Sequence, residues 1–212
     1  MHYSLRLLVI AILVIVAGKI VWDTFTGEPR RPIVLSALLA VVAVFGYLEY
    51  RAQAAEKRFG AIASEIAHRD VSVRCQGLLG DVADIGADLG YVEFDASGTP
   101  SDTTHISREA CNWLKDYEDD HSVTRDGAMG VHTLAHEAMH LQGVISEAKA
   151  ECYGLQRIPR VAQRLGASLE EARALAVFSY RALYPQLPRN YRSHECVPGG
   201  ALDLGRDTPA WP

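Results

Sequence analysis

Apolar residues are spread unevenly along this chain. From Ser4 to Trp22 the sequence is almost wholly apolar apart from Arg6 and Lys19, and a second run, IVLSALLAVVAVFGY from Ile33 to Tyr47, follows the short segment Gly27 to Pro32. An uninterrupted apolar stretch approaching about 20 residues suits a membrane-crossing helix, and cationic side chains near its ends can reach the headgroups. The connecting segment is too short to hold a folded element. The pattern predicts a two-helix transmembrane hairpin over residues 1–51, with the lipid bilayer as its partner. The alternatives are a cleaved leader for the first run, which no small-x-small cleavage site follows, and a buried core helix for the second, which is followed by polar helix-forming sequence and no obvious partner layer.

Beyond residue 51 the periodicity changes. Ala52 to His68 places Phe59, Ile62 and Ile66 at helical spacing and predicts a stalk helix continuing the second apolar run. Val71 to Cys75 and Gly90 to Phe94 are short β-branched or alternating runs bounded by turn formers, and predict strands. Arg108 to Tyr117 carries Ala110, Trp113, Leu114 and Tyr117 on one helical stripe, and Met129 to Gln142 predicts a helix stopped by Gly143. Glu147 to Leu165 reads as helix, kinked or split at Pro159. Ser168 and Glu171 form a capping box opening a last helix to about Leu183. After Pro185 no period remains, which predicts an irregular tail that Cys196 pins down. The fold class is therefore mainly α with a small β-sheet, an α+β domain over residues 52–212.

Composition narrows the partners. A formal net charge of -5 over 212 residues argues against a nucleic-acid binder, which needs clustered positive charge. Charges flanking the apolar runs are nearly balanced between the chain ends (Arg6, Arg51, Lys57, Arg58) and the turn (Lys19, Arg30, Arg31), so they orient the hairpin poorly. The four cysteines, Cys75, Cys111, Cys152 and Cys196, all lie after the apolar runs, and an even number suits two disulfides in an oxidising compartment. Chain order favours Cys75 with Cys111 and Cys152 with Cys196, and reduced buried thiols are the alternative. A four-cysteine zinc site is disfavoured because no close CxxC-type pair exists. These readings place a two-span protein in the membrane with its other domain extracytoplasmic.

The chemistry-bearing segment runs from His132 to Glu151. His136 and His140 are four apart, so on a helix they stand one turn above the other and can share a metal. Glu137 lies about 100° round the helix from His136, placing a carboxylate beside that metal. This HExxH pattern is an established zinc-protease motif in which the Glu serves as general base. A catalytic Zn2+ takes three protein ligands and leaves a position for water. Glu147 is the leading third ligand, with Glu151 the alternative and Cys152 a remote third. The carboxylate not used could orient a ligand histidine from behind. His132, one turn before His136, is a candidate supporting donor, weighed against a plain packed histidine.

The stretch His136 to Glu151 resembles the active-site region of the zincin metallopeptidases. Gly143 matches the turn of the metzincin HExxHxxGxxH arrangement, but Ser146 stands where its third histidine belongs, and no later methionine can form that family's Met-turn. The gluzincin branch, with a Glu ligand on a following helix, is closer, at an unusually short spacing. The resemblance implies a compact zincin-like domain, a Zn2+ cofactor held by His136, His140 and a Glu, Glu137 as catalytic base, and hydrolysis of a peptide or protein substrate, with a membrane or envelope protein as one candidate. It also makes Tyr153, Tyr191 and His194 candidates to stabilise an oxyanion. The competing reading is a non-catalytic, membrane-tethered module that keeps a zincin-like fold for binding.

Overall fold

The computed structural model of the chain describes residues 5–26, 32–76 and 89–205. It divides into two compact units, Met1–Ala55 and Glu56–Pro212. The first holds α1 (Leu5–Phe25) and the start of α2 (Pro32–Ala67), which continues as one helix into the second unit. Both expected N-terminal helices and the stalk are therefore helical, while the turn between them, at 27–31, lies outside the described residues.

The two-span membrane reading is corrected. Among the described residues no helix is long and apolar enough to cross a membrane. In α1, Lys19 and Asp23 interrupt the last two turns, and in α2 the apolar run ends where Glu49 and Arg51 begin. The run from Ile33 to that point falls short of the roughly 20 residues a span requires.

The second unit mixes helices with a small sheet, as its patterning predicted. Strands β1 (Ser72–Cys75) and β2 (Gly90–Phe94) fall where the alternation placed them. The central strand, β3 (Pro100–Ile106), was not anticipated, because its Ser, Asp and Thr residues carry no apolar period. The sheet order is β1-β3-β2, with β1 parallel and β2 antiparallel to β3. Val73, Thr104 and Ile106 are buried on this sheet.

Four helices follow. In α3 (Arg108–Asp120), Ser107 caps the start by accepting from the Ala110 N–H. Helix α4 (Arg125–Leu141) begins four residues before the apolar period does, because the Thr124 side chain accepts from the Gly127 N–H and fixes the first turn. Next comes α5 (Glu147–Arg164), one unbroken helix, so of the kink or split expected at Pro159 the split does not occur. A proline ring removes one backbone bond from a helix interior. Here fully buried Leu155, Ile158, Val161 and Ala162 hold the flanking turns in place. The capping box at Ser168 and Glu171 opens α6 (Leu169–Phe178) as expected, but the chain then widens into a π-helical turn at Ser179–Leu183 before tightening into two 3-10 turns at Tyr184–Gln186 and Arg189–Tyr191.

Helix α4 is the centre of this unit, packing against α3, α5, β2 and β3. Every residue from Gly130 to Leu141 is buried, so this helix meets protein on all sides, with its polar side chains enclosed as well. Two disulfides tie the periphery to this core in the pairing that chain order favoured: Cys75 with Cys111 joins β1 to α3, and Cys152 with Cys196 joins α5 to the C-terminal segment. Two such bonds suit a chain that matures in an oxidising compartment.

Candidate metal centre

Helical spacing alone aligns His136 and His140 on α4, and the structure adds what faces them. Their Nε2 atoms are 2.9 Å apart. One oxygen of Glu147, in the first turn of α5, stands 3.2 Å from the His136 Nε2 and 3.3 Å from the His140 Nε2. With metal–ligand distances near 2.0–2.1 Å, the donors of a tetrahedral zinc lie about 3.3 Å from one another, so this triangle has the size such an ion needs.

The far sides of both rings are also engaged. The His136 Nδ1 is 3.1 Å from an oxygen of Glu151, and the His140 Nδ1 is 2.7 Å from the Val144 carbonyl. Carboxylate and carbonyl oxygens only accept, so each Nδ1 carries a proton, and a neutral ring then presents a bare lone pair at Nε2. Two bare lone pairs and a carboxylate oxygen converging within 3.3 Å repel one another unless a cation lies among them. In the metal-free chain that cation is a proton. Burial lowers the His136 pKa, but hydrogen bonds to Glu147 and Glu151, with the charge of Glu137, override burial and lift it to about 10. His140 moves down, through burial and the neighbouring His136 charge. Glu147 is held below its ordinary value, first by its hydrogen bond to His136. Buried His and Glu groups here can thus hold a metal ion.

The loop after α4 builds part of this arrangement locally. Gly143 has φ of 101°, and the Val144 N–H bonds back to the Met139 carbonyl. That turn brings the Val144 carbonyl to His140, as the outer oxygen contact that orients a ring. The contact between helices supplies the rest. A Cβ added to Gly154 of α5 would lie 3.0 Å from the His136 Cα and 3.1 Å from its nitrogen, so the two backbones approach closely there. Glu147, Glu151 and Gly154 share one face of α5, and this close approach delivers both carboxylates to His136.

The remaining candidates divide clearly. His132 meets Glu151, with Nε2 3.0 Å from Oε1, and the two residues are 5% and 2% exposed. Neither atom completes a well-directed hydrogen bond at that distance. His132, His136 and Glu151 form a second buried cluster sharing His136 with the first. Glu137 is 3% exposed and turns toward the sheet, with one oxygen 3.4 Å from the Thr104 hydroxyl. Tyr191 lays its ring 5.9 Å from that of His136, whereas His194 is exposed and lines an open cavity with Arg189 and Arg192. Tyr153 is half-buried on α5. All four cysteines are consumed in disulfides, which removes Cys152 as a ligand. Sequence reasoning missed Val144, Gly90, Gly154 and Phe94, the last edge-on to His140 at 6.0 Å. None carries a chemical signal in one dimension.

No family model, curated protein or solved structure matches the chain.

Proposed function

We propose that this chain is a zinc-dependent metallopeptidase of the zincin type, with a gluzincin-like ligand set at short spacing. The observation that carries the reading is the triangle of His136 Nε2, His140 Nε2 and a Glu147 oxygen, with sides of 2.9, 3.2 and 3.3 Å, whose rings are both anchored from behind. A structural zinc site closes its fourth position with protein, whereas a three-donor set leaves it open. Zinc held there would polarise a substrate carbonyl and lower the pKa of water toward about 7.

The chain's own groups supply the remaining roles. His136, His140 and Glu147 bind the metal. Glu151 and the Val144 carbonyl hold the two rings in the tautomer that directs Nε2 forward. Glu137 accepts the proton from the attacking water and returns it to the leaving amine, a transfer worth typically 10²–10⁴-fold in rate. Tyr191, whose ring lies 5.9 Å from that of His136, is the candidate to steady the oxyanion. The substrate is a peptide or protein.

The test uses the full chain. Zinc content is measured by mass spectrometry under native conditions, and wild type is compared with Glu137→Gln on casein and a mixed peptide library. Zinc in both proteins with cleavage by the wild type alone is the expected result. Zinc with no cleavage by either would replace the enzyme with a binding module, and a folded chain that takes up no zinc would remove the metal reading altogether.

A further inference from the structure

The carboxylate of Glu137 rests against Gly90 of β2. A Cβ placed on Gly90 would come within 2.9 Å of the Glu137 Cγ and Oε1 and 3.0 Å of its Cδ, well inside the 3.5–4.0 Å at which carbon atoms pack best. Gly90 is not among the glycines with positive φ, so its backbone does not demand glycine. The space does. Nor is the strand free to retreat, since Gly90 pairs with Ile106, which is fully buried. On the neighbouring strand, the Thr104 hydroxyl has two acceptors within reach, the Tyr91 carbonyl at 3.0 Å and a Glu137 oxygen at 3.4 Å, and so bounds the carboxylate on that side.

We propose that Gly90 is a positioning residue, whose missing side chain forms the seat that holds the Glu137 carboxylate beside the metal centre. The inference rests on Glu137 being the proton acceptor of the proposed peptidase. A buried glutamate has several rotamers open to it in principle, and a methyl group at residue 90 would exclude the one found here. The three atoms nearest that Cβ all belong to Glu137, so the first contact falls on the proton acceptor and not on His136, His140 or Glu147.

Two measurements test it. In zinc-loaded Gly90→Ala, kcat is expected to fall about 10–100-fold, the cost of displacing a catalytic group by an ångström or so. Zinc Kd is expected to stay within about twofold of wild type, a change far below that of losing a ligand. Activity equal to wild type, or a loss of zinc affinity as large as the loss of rate, overturns the proposal. The second measurement needs no turnover. The fall in Tm caused by Gly90→Ala is compared in the wild-type and Glu137→Ala backgrounds, where coupled neighbours depart from additivity. The fall is expected to shrink sharply once the carboxylate is gone, and an equal fall in both backgrounds refutes the seat. If Gly90→Ala alone does not fold, folding of Gly90→Ala/Glu137→Ala supports the seat and its failure to fold overturns it. A wild type that binds zinc and cleaves nothing would defeat the peptidase reading, while the Tm comparison would still decide whether Gly90 seats Glu137.

Discussion

Glu151 is 2% exposed, and burial pushes its carboxyl up, yet the nearby charges of His132 and His136 and the hydrogen bond to His136 hold it at about 2. A carboxyl whose folded pKa lies below its unfolded value of about 4.3 stabilises the fold above that pH and loses the contribution as pH falls toward 2. His136 behaves in the opposite sense. Lifted to about 10, it stabilises the metal-free fold fully below its unfolded value near 6.5, and the contribution fades as pH rises through 10. Calorimetry of chelator-treated protein is therefore expected to show Tm falling on both flanks, and a flat Tm between about pH 6.5 and 10 would contradict the alkaline limb. Zinc must displace the His136 proton, so its binding at pH 7 should release about one proton per ion, measurable by titration calorimetry in buffers of different ionisation enthalpy. Glu151→Gln removes the charge behind His136 and should weaken zinc binding about 10–100-fold. Glu147→Gln, which removes a donor from the triangle itself, should weaken it further. The sequence made these residues visible as candidates. It left Glu147 and Glu151 competing, because both stand on one helical face and spacing does not say which meets Nε2 and which meets Nδ1.

Two helix ends were legible because they are written in neighbouring residues: the capping box of Ser168 with Glu171, and Gly143, which supplies the left-handed turn after α4. Ser107 and Thr124 also cap through a contact reaching three residues ahead, but the apolar period did not reveal them, and α4 starts four residues before that period. Strand β3 was not legible: its place at the centre of the sheet depends on pairing with two separate strands, β1 about thirty residues before it and β2, and most of its own residues are polar. Packing also overruled local preference at Pro159. The contact that matters most for the centre is between α4 and α5, where Gly154 meets the backbone of His136. Gly154→Ala would force the helices apart at that level, an overpacking that typically costs about 1–3 kcal/mol. Urea unfolding should show that loss. Zinc affinity should fall with it, because Glu147 and Glu151 ride on the displaced helix, and unchanged affinity would show that α5 yields elsewhere.

The two disulfides bind peripheral segments to a core whose other ties are weaker. Arg58 pairs with Glu118, and Glu65 pairs with Arg160 and Arg164, all between partly exposed side chains that contribute little individually. Cys152 and Cys196 are 0% and 1% exposed and anchor the segment that carries Tyr191 to α5, beside Glu151. The double replacement Cys152→Ser/Cys196→Ser is expected to lower stability by about 2–5 kcal/mol, read from urea midpoints. In the native chain this bond should resist mild reductant, and thiol alkylation followed by mass spectrometry checks that. Cysteine parity and order foretold the pairing. Apolar run lengths suggested a membrane hairpin, which the interruptions at Lys19, Asp23 and Glu49 deny to the helices of the described residues. What could be read in one dimension is whatever a single turn or helix enforces: the capping box at Ser168, the one-turn stacking of His136 on His140, and Glu137 next to them in sequence. Folding alone assigned Glu147 to the Nε2 pair, Glu151 to the ring behind, Gly90 to the Glu137 carboxylate and Tyr191 to the His136 ring. Those assignments depend on how closely separate elements pack, and packing is set by side chains far apart in sequence whose contacts no local pattern encodes.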